Sequence, residues 1–485
     1  MSSEAIEHYL RDDSRRGPVP EGAFSGAAGG APCGDLVRVS LAVREGRVVA
    51  ASFDAEGCAA TVAAAAAVAA AVEGERVLAV ARIGPDDLAE ALGGLSPQGR
   101  HAVELAADAL HRALGALASS GEGLASAPGS GERVLVALSG GVDSAVAALL
   151  ERDRGAEVVA VTLKLWSDHR TDGERSCCSP QAVIGARTLA HRLGLPHLTL
   201  DLEHAFRATV VDEFVNGYAA GRTPNPCVVC NGELRIDAML GLAERVGAQA
   251  LATGHYARVV DDGEGPLLAA PVDSAKDQTY MLSALRAGSL ARLRFPLADL
   301  TKPETRELAA RAGLPVATKR ESQDLCFLAG EGKRSFLSRQ AGLDERPGEI
   351  VDRSGRSVGR HRGHHEFTVG QRRGLGVAAG EPLYVLATDA VANRVVVGSR
   401  DELATRTVRV RDAVLRRDGA RVDRVKLRYR SRPISCTVEA GAGHHSELSL
   451  SLGQPAYGVA PGQTACLMEG ERIVGHATIA APSAS

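Results

Sequence analysis

Six consecutive residues carry the clearest chemistry in the sequence: Ser139-Gly140-Gly141-Val142-Asp143-Ser144. An apolar run, 134–138, precedes them and an Ala/Leu-rich, helix-forming run follows. Two glycines let the backbone approach an anion closely. Amide N–H groups at the start of the next helix then point at phosphate oxygens, aided by the helix dipole. No Gly-Lys-Ser/Thr follows, so this is not a Walker-type loop. Asp143 could hold magnesium against a pyrophosphate, or cap the helix. The second set of reactive residues is sulfur-based. Nine cysteines include a C-x-x-C pair, Cys227 and Cys230, and Cys326. An odd number spread over 485 residues argues against a disulfide framework. Reduced thiols for metal or sulfur chemistry fit better.

The elements that must position these groups follow from patterning. Residues 133–138 and 157–164 are apolar strands, followed by a helix at 180–193 and strands at 197–202 and 248–253. Strands alternating with helices predict a parallel, doubly wound sheet. Beyond about 350, short β-like runs at 395–398, 408–414, 425–429, 436–439, 447–452 and 464–468 predict a closed β domain. At the N-terminus, runs 36–44 and 47–54 flank Glu45-Gly46, a hairpin signal, and helical sequence follows at 59–73, 85–93 and 99–117. The segment 118–131, rich in Gly, Ser, Ala and Pro, predicts a flexible linker. Cys436 and Cys466 lie on β-like runs and read as core residues.

The net charge is −3, but it is unevenly spread. Residues 1–120 hold 16 acidic and 10 basic side chains, so the remainder is net positive. Residues 406–432 hold 11 basic and 3 acidic side chains, a density that suits a phosphate backbone or a solvated strand face. Aromatic residues are 3% of the chain, so base stacking cannot be widespread. No apolar stretch reaches the roughly 20 residues that span a bilayer. The start, MSSEAIEHYLRDD, lacks a signal-peptide core, so no membrane and a cytoplasmic location are expected.

The hexapeptide matches the SGGxDS loop of ATP pyrophosphatases, which activate a carbonyl by adenylation. Further segments extend the match: Leu163-Lys164-Leu165-Trp166, Gly221 to Pro226, Cys230-Asn231, Ala252 to Tyr256, Lys276-Asp277-Gln278, Ser322 to Phe327 and Thr368 to Arg372. With these, residues 132–480 resemble the bacterial tRNA-specific 2-thiouridylases. The resemblance implies that Ala137, Leu138, Ser139, Gly140, Gly141, Val142, Asp143, Ser144, Leu163 and Gly254 surround ATP, with Mg2+. It implies that Asn225, Pro226 and Cys227 meet the target base, and that His255, Lys276, Asp277, Gln278, Tyr429, Arg430 and Gln463 touch tRNA. Cys326 would carry a persulfide and Cys230 would be the second catalytic cysteine. Because Cys stands at 227, the three thiolates Cys227, Cys230 and Cys326 could instead hold a [4Fe–4S] cluster, or a zinc ion.

The N-terminal unit, about 24–117, resembles iron–sulfur scaffold proteins of the NifU/IscU type, through Gly30 to Asp35 and Glu56-Gly57-Cys58. Cys33, Asp35 and Cys58 match that family's ligands; its third cysteine is replaced in His101-Ala102. The set left, Cys33, Asp35, Cys58 and His101, suits zinc, a weakly held cluster, or sulfur receipt alone. It could also be a degenerate domain kept to dock a cysteine desulfurase. The expected order is a NifU/IscU-like α+β domain (1–117), a linker (118–131), an α/β ATP-pyrophosphatase domain (132–330), a small central domain (331–402) and a tRNA-contacting β-barrel (403–482). Implied partners are tRNA and a cysteine desulfurase or other sulfur donor. Rival readings are an ATP pyrophosphatase acting on a small molecule, a 4-thiouridine-forming enzyme, and an iron–sulfur carrier with a vestigial nucleotide domain. Paired thiols argue against the first, missing accessory modules against the second, and the intact loop against the third.

Overall fold

The computed structural model describes residues 4–30, 34–96, 99–125, 128, 131–168, 179–319, 325–328 and 330–481. They form two compact units: 1–203 with 238–255 and 292–327, and 204–237 with 256–291 and 328–485. Segments 204–237 and 256–291, inside the stretch read as the nucleotide domain, thus pack with the C-terminal part. Among the described residues no helix is long and apolar enough to cross a membrane.

The first unit begins with an antiparallel sheet in the order Phe24–Gly29, Leu36–Arg44, Arg47–Glu56. Glu45 and Gly46 both have positive φ, 52° and 71°, the conformation a two-residue hairpin turn demands. Helices Ala59–Val72 and Arg100–Ser119 pack on this sheet. The first is buried nearly all round, which its alanines permit by taking little space. The second sheet is parallel, in the order Leu293–Arg294, Ala250–Thr253, Arg133–Ala137, Glu157–Lys164, His197–Asp201. Its central strands are continuous apolar runs because helices cover both faces. The loop 139–144 leaves the C-terminal end of Arg133–Ala137, where open α/β sheets bind ligands.

The two sheets of this unit meet along a tight seam. Helix Arg100–Ser119 lies against the edge strand His197–Asp201. The carbonyl of Ala81 accepts the His197 amide at 3.0 Å and His191 Nε2 at 3.2 Å. Asp108 takes the buried Arg187 guanidinium at 3.0 Å and Arg112 at 2.8 Å. Segment 118–131 is not wholly free. Helix Arg100–Ser119 runs into it, Leu124 is fully buried, and the amides of Leu124 and Ala125 donate to the Arg245 carbonyl. Arg245 returns a hydrogen bond to the Ala118 carbonyl.

Three imidazoles fill the seam. His111 lies 5.1 Å from His191 and 6.3 Å from His197, ring centroid to centroid. Burial holds all three below the usual histidine pKa, with the Arg187 charge adding to the effect. Asp87 opposes it at His191, and Asp108 balances Arg187. Neutral imidazoles are therefore part of the folded seam, whereas separated surfaces take up protons below about pH 6.5. Stability is full above that pH and falls as pH drops below it, by up to about 1.4 kcal/mol per pH unit per imidazole. The midpoint of thermal unfolding is expected to fall between pH 7.5 and 5.5, and to fall less in His111→Gln. An equal fall in both proteins would place the proton uptake elsewhere.

The second unit contains a six-stranded barrel. Its order is Ala404–Leu415, Gly443–Tyr457, Ile434–Thr437, Arg424–Lys426, Thr464–Glu469 and Arg472–Ile479, which closes on Ala404–Leu415. Val410, Val425, Leu450, Leu467 and Val474 fill it. The hairpin Arg258–Asp261 and Pro266–Ala269 adds to the outside of Arg472–Ile479. Its turn is pinned because Asp262 accepts Arg417 at 2.6 Å and Arg421 at 2.7 Å. A separate four-stranded sheet, Ser357–His361, Gly348–Val351, Arg394–Gly398, Tyr384–Asp389, encloses Ile350, Val385, Val395 and Val397.

Candidate active site

The loop after Arg133–Ala137 is closed on its own hydroxyls. Ser144 Oγ accepts the Ser139 amide at 3.1 Å and donates to the Gly141 carbonyl at 3.1 Å. Gly140 has φ +69°, the left-handed conformation that reverses the chain before the helix Val142–Asp153. Gly254, at the end of the neighbouring strand, backs the loop so closely that a Cβ there would lie 2.6 Å from the Ser144 nitrogen. The amides at the helix start are thereby held where an anion would be received. Leu163 is the last residue but one of the strand on the other side, Glu157–Lys164. The residues expected around ATP, from Ala137 to Ser144 with Leu163 and Gly254, thus lie on adjacent strand ends.

Two lysines join this loop that the sequence reading did not single out. Lys302 Nζ grips the Asp143 carboxylate at 2.6 and 2.8 Å, and Lys319 Nζ donates to the Gly140 carbonyl at 2.9 Å. Lys302 opens the helix Lys302–Arg311, whose entry is fixed by the reciprocal Thr301–Glu304 cap. Asp143 is thus clamped by a cation rather than only capping its helix. The pairing cancels a negative charge that would otherwise repel a triphosphate. Lys302→Met is expected to weaken nucleotide binding by roughly 10-fold or more, the cost of leaving one member of a partly buried pair alone. Equilibrium binding of Mg-ATP tests it; unchanged affinity would reduce the pair to a structural tie.

The second unit positions the other expected groups. Asn225 caps the short helix Pro226–Val229 by accepting the Val228 amide at 3.3 Å. The chain continues into a wide π-helical turn, Cys230–Arg235, a distortion that recurs at functional sites. Cys227 is part-buried, and burial raises its thiol pKa against the lowering pull of Arg235. Cys230 is buried, and its neighbour Asn231 is anchored to the Met281 carbonyl at 3.0 Å. Gln463 Nε2 donates to the Thr223 and Pro224 carbonyls, and the Thr223 amide donates to the Pro461 carbonyl, so the barrel holds this loop.

Several residues expected at tRNA have structural engagements. Gln278 accepts the Tyr256 amide at 2.8 Å. Asp277 accepts the Thr279 amide at 2.9 Å and meets Lys426 at 3.1 Å. Lys276 is half-buried and Arg430 exposed, its guanidinium 5.3 Å from the Tyr429 ring. In the first unit, His255 Nδ1 lies 2.8 Å from Thr253 Oγ1. The basic run 406–432 is also partly inward. Arg416 and Arg428 hold backbone carbonyls, Arg417 and Arg421 hold Asp262, and Lys426 holds Asp277. Arg424, Arg430 and Arg432 face solvent.

The thiols divide by environment. Cys436 and Cys466 are core residues, and burial pushes them up to about 11 and about 12. Cys326 is part-exposed and belongs to the first unit, Cys230 to the second. Cys58 is exposed and precedes the helix Ala59–Val72. Its Sγ lies 3.3 Å from Thr61 Oγ1, which donates to Asp35 at 2.6 Å. Cys33, the pair Cys177–Cys178, and Ser322, Gln323 and Asp324 lie outside the described residues. Among the described residues no three His, Cys, Asp or Glu side chains stand together as a metal-holding group.

Four family models match the chain in succession. The NifU-like N terminal domain matches residues 1–120 and the tRNA methyl transferase HUP domain 132–330. The tRNA methyl transferase PRC-barrel domain matches 334–399 and the aminomethyltransferase beta-barrel domain 406–479. The bifunctional protein NifU/MnmA of Rubrobacter xylanophilus is 46% identical over 98% of this chain and 97% of its own. The tRNA-specific 2-thiouridylase MnmA of Acidithiobacillus ferrooxidans is 46% identical over 71% of this chain and 97% of its own. That of Sorangium cellulosum is 44% identical over 73% and 94%. With near-complete coverage of a two-part relative, and a nucleotide loop built as that sequence demands, the chain belongs to the bifunctional NifU/MnmA family.

Proposed function

We propose that this chain is an ATP-dependent tRNA 2-thiouridylase that replaces the C2 oxygen of the wobble uridine by sulfur. The observation that carries the reading is the closed Ser139–Ser144 turn with Gly254 behind it, an anion cradle at a strand end. The 2-thiouridylase activity named for the relatives supplies the substrate class. The amides at the start of Val142–Asp153 would bind the phosphates, and Lys302 would set the Asp143 charge. Magnesium, held through Asp143, would supply charge neutralisation on the departing pyrophosphate. The uridine O2 attacks the α-phosphorus, the bond to pyrophosphate breaks, and C2 gains an adenylate leaving group.

The terminal sulfur of a Cys326 persulfide then attacks C2, and AMP leaves with the former O2. A Cys230 thiolate attacks Cys326 Sγ and breaks the S–S bond, leaving 2-thiouridine and a Cys230–Cys326 disulfide that a dithiol reductant must reopen. Asn225, Pro226 and Cys227 would receive the extruded base; Lys276, Tyr429, Arg430 and His255 would face tRNA. The N-terminal domain would take sulfur from a cysteine desulfurase near Cys58. The reading favours thiol chemistry over a cluster because Cys326 is part-exposed, as loading of a thiol with sulfur requires. Protein purified without oxygen and assayed for iron and acid-labile sulfide tests this: full activity without iron is expected, and activity that tracks iron would overturn it. For the reaction itself, undermodified tRNA is incubated with the protein, Mg-ATP and a desulfurase. Nucleoside mass spectrometry should find 2-thiouridine at the wobble position; none, despite ATP binding, would overturn the reading.

A further inference from the structure

The seam between the N-terminal domain and the nucleotide sheet leads directly to the nucleotide loop. The Leu138 carbonyl, the last before Ser139, accepts Thr162 Oγ1 at 2.7 Å. That hydroxyl has one proton and spends it on the carbonyl. Its 2.8 Å contact with His197 Nε2 must therefore be a donation from the imidazole. His197 is thus the Nε2–H tautomer, and among the described residues its buried Nδ1 finds no hydrogen-bond partner. What holds the ring is packing, including the His111 ring on helix Arg100–Ser119. His111 is in turn fixed by the 2.9 Å hydrogen bond to the Ile83 carbonyl. The same peptide, Leu138 to Ser139, carries the amide that Ser144 Oγ accepts to close the loop.

We propose that the N-terminal domain is a fixed part of the nucleotide domain rather than a carrier on a free tether, and that its seating and nucleotide binding influence each other through the Leu138–Thr162–His197 chain. Fixed seating follows from the polar ties that cross the seam. Ala81 pairs with the edge strand, Asp108 with buried Arg187, and Leu124 and Ala125 with Arg245. The lowered pKa values of the three imidazoles agree, since burial in the seam, with the Arg187 charge, keeps each neutral. Coupling follows because the peptide that sets the loop is oriented by a hydroxyl whose donor is a ring packed against the other domain. Any such influence is reciprocal. Thr162 and His197 are positioning residues; neither is placed at substrate. The coupling rests on the proposed ATP site, whereas the seating does not.

Hydrogen exchange of the full chain, with and without Mg-ATP, tests both. Without nucleotide, the amides of His197, Leu124 and Ala125 should exchange at least about 100-fold slower than unprotected amides; rapid exchange would overturn the seating. With Mg-ATP, exchange should slow at 139–145 and also, by about 5-fold or more, at 81–84 and 102–112. Thr162→Val should keep the loop protection and lose the change across the seam. Loop protection without any change at the seam overturns the coupling. No protection anywhere overturns the ATP reading itself, and the coupling with it.

Discussion

Cys326→Ala is expected to abolish 2-thiouridine formation, a fall of at least about 1,000-fold, while Mg-ATP binding stays within about 2-fold of the parent protein. The argument is chemical. Adenylation needs the loop, but the incoming sulfur needs a sulfur to ride on, and a methyl group cannot carry it. Cys326 has the exposure that role requires, being part-exposed where Cys436 and Cys466 are sealed in the core. Those two are the proper controls. Their thiols are pushed up to about 11 and about 12, so they are protonated near neutral pH and poor nucleophiles. Cys436→Ala and Cys466→Ala should cost stability through lost packing and leave the thiolation chemistry intact. Cys230→Ala separates the two steps. The persulfide still forms on Cys326, but release stalls, and an added small dithiol should restore part of the turnover. Nucleoside mass spectrometry reads all four variants. Thiolation that survives in Cys326→Ala, or vanishes equally in Cys466→Ala, would remove the proposed persulfide from Cys326.

The nucleotide loop was legible because its determinants are contiguous: two glycines, a serine at each end and a helix start stand within six residues. The parallel strands were legible for the same local reason, as buried apolar runs such as Val158 to Val161. Lys302 was not legible. It follows Asp143 by 159 residues, and only the return of Lys302–Arg311 beside Val142–Asp153 brings the pair together. The hairpin 258–269 was missed likewise, since its partner strand Arg472–Ile479 lies some 200 residues on. Charge left two readings of the basic run 406–432 open, a phosphate surface or a solvated strand face, while Arg416, Arg417, Arg421, Lys426 and Arg428 pair with carbonyls and carboxylates of the protein itself. Composition cannot tell an inward guanidinium from an outward one. It also cannot tell that one leucine, Leu124, will find a burial site and tie down a Gly/Ser-rich segment.

Gly254→Ala should weaken Mg-ATP binding by about 10- to 100-fold, from one added carbon. Gly254 does not have a positive φ, so the cause is contact rather than backbone strain. The added Cβ would lie 2.6 Å from the Ser144 nitrogen and 2.7 Å from the Asp143 carbonyl carbon. Both are backbone atoms of the helix start, so no side chain can swing aside. Either the strand Ala250–Thr253 or the loop must shift. The strand is hydrogen-bonded on both sides, to Arg133–Ala137 and to Leu293–Arg294, so the loop is the part that yields. Overpacking of this kind costs about 1–3 kcal/mol, which as lost affinity is the stated range. Gly185, in the helix Pro180–Arg192, has open space where its Cβ would stand. Gly185→Ala should therefore leave ATP binding unchanged and raise stability by up to about 1 kcal/mol, as alanine does in a helix. If Gly254→Ala binds Mg-ATP as the parent does, the amides behind it do not form the anion site. If it loses ATP binding yet melts at the parent temperature, the close approach serves the nucleotide rather than the fold.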